Sequence, residues 1–370
     1  MRLALEAARS WPAERGRLLT VVLLVAVAVW MPALLAAGLA DELLAWDVRY
    51  AYLPAAEAVL DSGSPYPALD DPILEEQKGY VYPPQLALAL LPLTPLPIEL
   101  VALLVAVGLV ALIVLMLLLL GVRDVRCHAA ALLWMPVASG VLLANVSIPL
   151  AFAVALAWRY RNRVFPAASA LGLAISAKLL LWPLLGWTLL TRRGRTTAWA
   201  VLVGLGVTLA AWAAIGFAGL SSYPSLLRRL SEIQAENSYS LVGMTATLGL
   251  GEPVGRALTL AVGGGLLLAC AVLARRGDDL RAFTCAVAAT LALSPIVWLH
   301  YLVLLLVPLA VARPRFSALW LLPILLWVSP RPGYAEGLQT FLPAIVAAVL
   351  LGLLLARPSP RSADGAGAMA

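Results

Sequence analysis

The sequence predicts an all-α polytopic membrane protein, and three observations carry the prediction. Of its 370 residues, 62% are hydrophobic and only 12% charged, more apolar surface than a soluble domain of this size can bury. The apolar runs are long, rich in Leu, Ala and Val, and lack the in-out alternation of barrel strands, so helices satisfy the backbone in lipid. Basic clusters recur between the runs, as expected of loops on the cytoplasmic side.

Those clusters set the topology. They fall at 2–17, 123–126, 159–163, 192–195, 275–281, 313–315 and 357–361. The chain crosses out and back between successive clusters, which puts both termini in the cytoplasm of a plasma-membrane protein. Segments 41–84, 220–253, 294–300 and 329–339 then lie outside. The net charge of +6 reads as topology and predicts no nucleic-acid partner. Cys127, Cys270 and Cys285 show neither metal spacing nor a disulfide framework.

Elements follow in order. The first apolar run, 18–40, is about 20 residues long, beyond a signal h-region, and reads as a retained first helix. After the large outer loop, 84–93 is a short interfacial piece and 97–120 a second span. The stretch 129–158 has basic flanks on both sides, so it enters and leaves by one face. Ser139-Gly140 and Asn145 break it into a hairpin of short helices. Segment 164–190 repeats the pattern, with its break between Lys178 and Pro183. A full span at 198–220 leads to an outer segment in which Leu226, Leu227, Leu230 and Ile233 recur at helical spacing, the mark of an amphipathic helix on the membrane surface. A short piece at 241–250, a return at 254–274, and pairs at 282–293 with 299–312 and 316–328 with 338–356 complete a bundle of about twelve crossings. Residues 1–357 form one domain, and the small, polar tail 358–370 is expected to be disordered and cytoplasmic.

The outer loop 45–84 holds Asp47, Glu57, Asp61, Asp70, Asp71, Glu75 and Glu76, interleaved with tyrosines and prolines. Asp47 stands out because it lies a turn or two beyond the first helix, between Trp46 and Tyr50. It is a candidate for chemistry at the outer surface, or it caps a helix over 48–60. Lys178 sits inside an apolar run, where a cation usually lines a cavity, pairs with an acid or binds an anion. His300, beside Trp298 and Tyr301, fits either a phosphate or sugar contact or an aromatic belt. Arg228, Arg229 and Asn237 belong to the outer segment at 221–251. No Walker, Rossmann, HExxH or GxSxG pattern occurs, and the two histidines cannot share a common zinc site, so no metal and no cofactor are expected.

Asp47-Val-Arg-Tyr50, Gly63, Pro65-Tyr66 and Tyr80-Val-Tyr82-Pro83-Pro84 resemble the family 87 glycosyltransferases. Lys178, the basic turn at Arg192-Arg193, Asn237–Leu241 and Ser294-Pro295-Ile-Val-Trp298-Leu-His300-Tyr301 follow in the same order. The chain departs from the family where a usual Asn-Gln-Ser-Leu is Asn237-Ser-Tyr-Ser-Leu241, and where a Gly-Gln-Asn break is Ala144-Asn145. The resemblance implies a GT-C fold and an inverting transfer of mannose from a polyprenyl-phosphate donor to a membrane glycolipid or cell-envelope glycan on the outer face. Asp47 would be the general base. Lys178, His300, Arg228 and Arg229 would hold the donor phosphate, and Trp46, Tyr50, Tyr80, Tyr82 and Asn237 would contact sugar or lipid. Transfer of arabinofuranose is an alternative within the family. A lipid or glycan transporter or flippase is an alternative outside it, although no carboxylate falls mid-membrane to couple protons, Glu99 lying close to an interface.

Overall fold

The computed structural model describes residues 13–328 and 337–356. The expected disordered tail, the residues at both chain ends and most of the loop 329–339 lie outside the described residues. Within them the chain is helical throughout. Helix α1 (Ala13–Ala40) is followed by a π-helical turn (Val48–Tyr52) that runs into α2 (Leu53–Ser62), and α2 stops at Gly63 with φ +76°. Then come α3 (Gln85–Leu90), α4 (Ile98–Leu119), α5 (Val125–Leu132), α6 (Met135–Leu143) and α7 (Ser147–Arg159). Helices α8 (Val164–Ala177), α9 (Pro183–Leu190), α10 (Gly194–Ala214), α11 (Tyr223–Gln234) and α12 (Leu241–Thr247) follow. The chain continues through α13 (Glu252–Arg275), α14 (Asp279–Ala292), a 3-10 stretch (Leu299–Leu305), α15 (Leu306–Ala312) and α16 (Phe341–Leu355).

Among the described residues, four helices are long and apolar enough to cross a membrane alone: Gly16–Ala40, Ile98–Leu119, Gly194–Ala214 and Glu252–Arg275. A fifth span results if α5 and α6, bent by 61°, count as one. The expected twelve crossings are therefore not established. The other apolar segments are helices of 10–17 residues, mostly too short to traverse the ~30 Å hydrocarbon layer at 1.5 Å per residue.

Two expected breaks have a clear local cause. At Ala144 the backbone turns left-handed (φ 53°, ψ 40°), and the N–H of Asn145 closes back on the Gly140 carbonyl at 3.0 Å. The Asn145 side chain then accepts the Ser147 N–H at 3.0 Å and so starts α7. Ser139-Gly140, expected to interrupt the run, is instead inside α6, and the additional bend falls at Leu133-Trp134 before Pro136. At Lys178 the chain becomes extended (φ −153°, ψ 110°), and Pro183, fixed in φ and lacking an N–H, begins α9 where no donor is needed.

Close backbone approach locks α8 to α10. A Cβ on Gly172 would stand 2.6 Å from the Ala200 carbonyl oxygen, and one on Gly204 would stand 3.2 Å from that of Gly172. Small residues let helices pack by contact where lipid supplies no hydrophobic drive between them.

Two of the basic clusters meet in the structure: Asp279 accepts from Arg193 (2.9 and 2.7 Å), Arg161 (3.1 Å) and the Trp187 indole (2.9 Å). This clasp ties the α7–α8 turn, α9, the α9–α10 turn and the start of α14. The amphipathic helix expected in the outer segment is present as α11.

Candidate active site

The helix breaks open a cavity of about 1240 Å³. Its wall includes Asp47, Trp46, Tyr52 and Tyr82 from the first loop, Ser139 and Asn145 from the α6–α7 hairpin, and Lys178 from the α8–α9 break. Ser294, His300 and Tyr301 close it from the segment after α14. Residues far apart in sequence converge because each break exposes a polar side chain where a continuous helix would have hidden it against a neighbour.

Asp47 does not cap a helix. Its own backbone is already helical (φ −64°, ψ −36°) and its side chain makes no capping bond. Oδ2 instead accepts from the Tyr52 hydroxyl at 3.0 Å and from Asn145 Nδ2 at 2.6 Å. Asn145 Nδ2 also stands 3.4 Å from the Tyr82 hydroxyl, and its Oδ1 accepts from the Ser147 hydroxyl at 2.7 Å. Burial raises the Asp47 pKa above its ordinary value, opposed by the hydrogen bonds from Asn145 and Tyr52 and by the charge of Lys178.

Lys178 Nζ donates to the Tyr301 hydroxyl. It lies 3.8 Å from the centre of the Tyr301 ring and 5.2 Å from that of Tyr82, so aromatic faces as well as Asp47 offset the cost of a cation in this half-buried position. His300 is buried on the 3-10 stretch, away from the surface position an aromatic-belt residue would take. Its ring is 5.0 Å from that of Tyr301, and its Nε2 has no partner among the described residues.

The cavity has two unlike sides. Glu76, Gln77, Lys78 and Gln234 give a polar lip, where Lys78 pairs with Glu76 at 2.9 Å and Gln77 donates to Gln234 at 3.1 Å. Another part of the wall is apolar: Leu179, Trp182, Val201 and Leu205 line it and are exposed.

Other expected site residues sit outside this wall. Tyr80 is buried behind it, its hydroxyl donating to the Pro83 carbonyl at 2.6 Å and accepting the Ala87 N–H at 3.1 Å. Tyr50 packs on Trp46 with ring centres 4.3 Å apart. Arg228 and Asn237 are exposed, and Arg229 stands 3.5 Å from Glu75 at the surface. Conversely, Tyr52, Asn145, Ser147 and Tyr301 belong to the polar cluster and were not expected there. For Asn145 the signal was present, because an amide within an apolar hairpin must find partners, but the sequence marks it only as a break.

Among the described residues, an all-helical bundle with several membrane-length helices brings a carboxylate and a cation to the wall of one cavity, an arrangement that suits a membrane enzyme. The chain matches the model of glycosyltransferase family 87 over residues 80–295, more than half its length, and it belongs to that family. It is a glycosyltransferase. The matched region contains Lys178 and Asn145 but begins after Asp47 and ends before His300. No curated protein and no solved structure matched the chain.

Proposed function

We propose that the chain transfers mannose, with inversion, from a polyprenyl-phosphate donor to a hydroxyl of a membrane glycolipid or cell-envelope glycan at the outer face of the plasma membrane. The observation that carries this reading is that Asp47 and Lys178 share one cavity whose wall is polar in one part and apolar and exposed in another. A prenyl chain can stay in the bilayer as its phosphate reaches Lys178, and a hydrophilic acceptor can enter past the lip. The positive-inside pattern of the sequence supports the outer face.

In this mechanism Asp47 takes the proton of the acceptor hydroxyl as that oxygen attacks the anomeric carbon. The bond from the anomeric carbon to the phosphate oxygen breaks, and its electron pair leaves on the lipid phosphate. Lys178 balances the charge growing there, and the unpartnered Nε2 of His300 supplies a further polar contact. A lipid phosphate leaves readily as an anion, so a second carboxyl acid is not required. Trp46 and Tyr82 offer aromatic faces to the sugar.

The test is Asp47→Asn in purified protein, assayed with polyprenyl-phosphate mannose and, in parallel, polyprenyl-phosphate arabinose. Turnover with the mannose donor should fall by roughly 10²- to 10⁴-fold, the usual worth of a general base. Full turnover in the folded variant removes Asp47 as base, and activity with arabinose alone replaces the donor assignment.

A further inference from the structure

We propose that Asn145 is the positioning residue for Asp47, holding its carboxylate by Oδ2 so that Oδ1 faces the acceptor, with Ser147 fixing which way the amide points. The proposal rests on the reading of Asp47 as the base. Both hydrogen bonds that the first loop and the α6–α7 hairpin give to Asp47 fall on one oxygen, Oδ2. Oδ1 carries neither of them and is left for the proton in flight.

An amide can turn either its donor or its acceptor toward a carboxylate, and only the donor orientation is attractive. Here the choice is made by the backbone. Oδ1 of Asn145 is held by the Ser147 N–H at 3.0 Å and the Ser147 hydroxyl at 2.7 Å. Flipping the amide would point its NH2 at the Ser147 N–H, which can only donate, and its oxygen at Asp47. Asn145 is itself buried, so both mismatches would be costly. The left-handed turn at Ala144 brings this locked amide into the wall, so the break in the hairpin and the orientation of the base are one device.

Other groups also face Asp47. Tyr52 comes from its own turn, Tyr82 from the end of the first loop, Lys178 from the α8–α9 break, and Tyr301 from the segment after α14, with His300 beside it. Tyr52 can rotate its single proton elsewhere and Lys178 is shared with Tyr301. Asn145 is the donor with a fixed direction.

The experiment titrates Asp47 directly. A hydrophobic carbodiimide, which attacks the protonated carboxyl, is applied to the purified full chain across a pH series, and labelling at Asp47 is read by mass spectrometry. The pH profile of turnover is measured beside it. In Asn145→Ala the labelling midpoint and the acidic limb should both move to higher pH, with kcat near neutrality down roughly tenfold or more and the donor KM unchanged. Ser147→Ala, which keeps the Ser147 N–H that starts α7, should move both the same way by less, and covers the case in which Asn145→Ala does not fold. An unmoved midpoint in the folded variants overturns the proposal, as does a raised donor KM with the pH limb in place. If Asp47→Asn keeps its turnover, the general-base reading falls by itself, and the labelling midpoint still decides whether Asn145 governs this carboxylate.

Discussion

Replacing Lys178 by Met separates phosphate binding from the rest of the site. The substitution keeps an unbranched side chain of similar reach and removes the charge together with the hydrogen bond to Tyr301. In the structure the half-buried ammonium lies 5.2 Å from the Tyr82 ring centre and 3.8 Å from that of Tyr301, on the wall a phosphate entering the cavity would meet. A unit charge about 4 Å from an anion, at an effective dielectric constant of about 20, contributes about 4 kcal/mol. Part of that is cancelled by desolvating the phosphate, and a charge-assisted hydrogen bond is worth ~1.5–3 kcal/mol net. Donor affinity should therefore fall by roughly 10- to 150-fold, with acceptor affinity unchanged. The charge of Lys178 also lowers the Asp47 pKa, so its removal moves the acidic limb of turnover to higher pH. The assay is initial rate against donor concentration at several pH values, with the thermal melt as the folding control. An unchanged donor KM in a folded Lys178→Met protein refutes the phosphate assignment, and an unmoved limb refutes the coupling to Asp47.

Two further outcomes are expected. Because burial raises the pKa of Asp47 and the base works ionised, turnover of the unmodified chain should fall as pH drops through a midpoint above the ordinary carboxylate value of 3.8, measured as kcat against pH. Asp279→Ala strands Arg193, Arg161 and the Trp187 N–H together; with all three ionic side chains less than a third exposed, it should cost about 2–3 kcal/mol and lower the melting temperature by several degrees.

The sequence alone determined the class and the helical bundle, because these follow from residue-by-residue transfer into lipid. It also exposed Asp47, Lys178 and His300, since a charged or polar group in an apolar context has few cheap explanations. Span count was less legible. A helix of 13 or 14 residues and one of 22 share the same composition, and only packing tells which are stacked as broken pieces around a cavity.

Only the tertiary structure decided the company each residue keeps. Asp47 looked able to cap the next helix, but its backbone is already helical and its carboxylate turns to Asn145, 98 positions away along the chain. Tyr80 and Tyr82 are indistinguishable in the sequence, yet one is buried behind the wall and the other faces the cavity. The reason is physical: hydropathy is a property of a residue, whereas a site is made by the directions in which helix breaks aim side chains, and those directions are set by contacts distant in sequence.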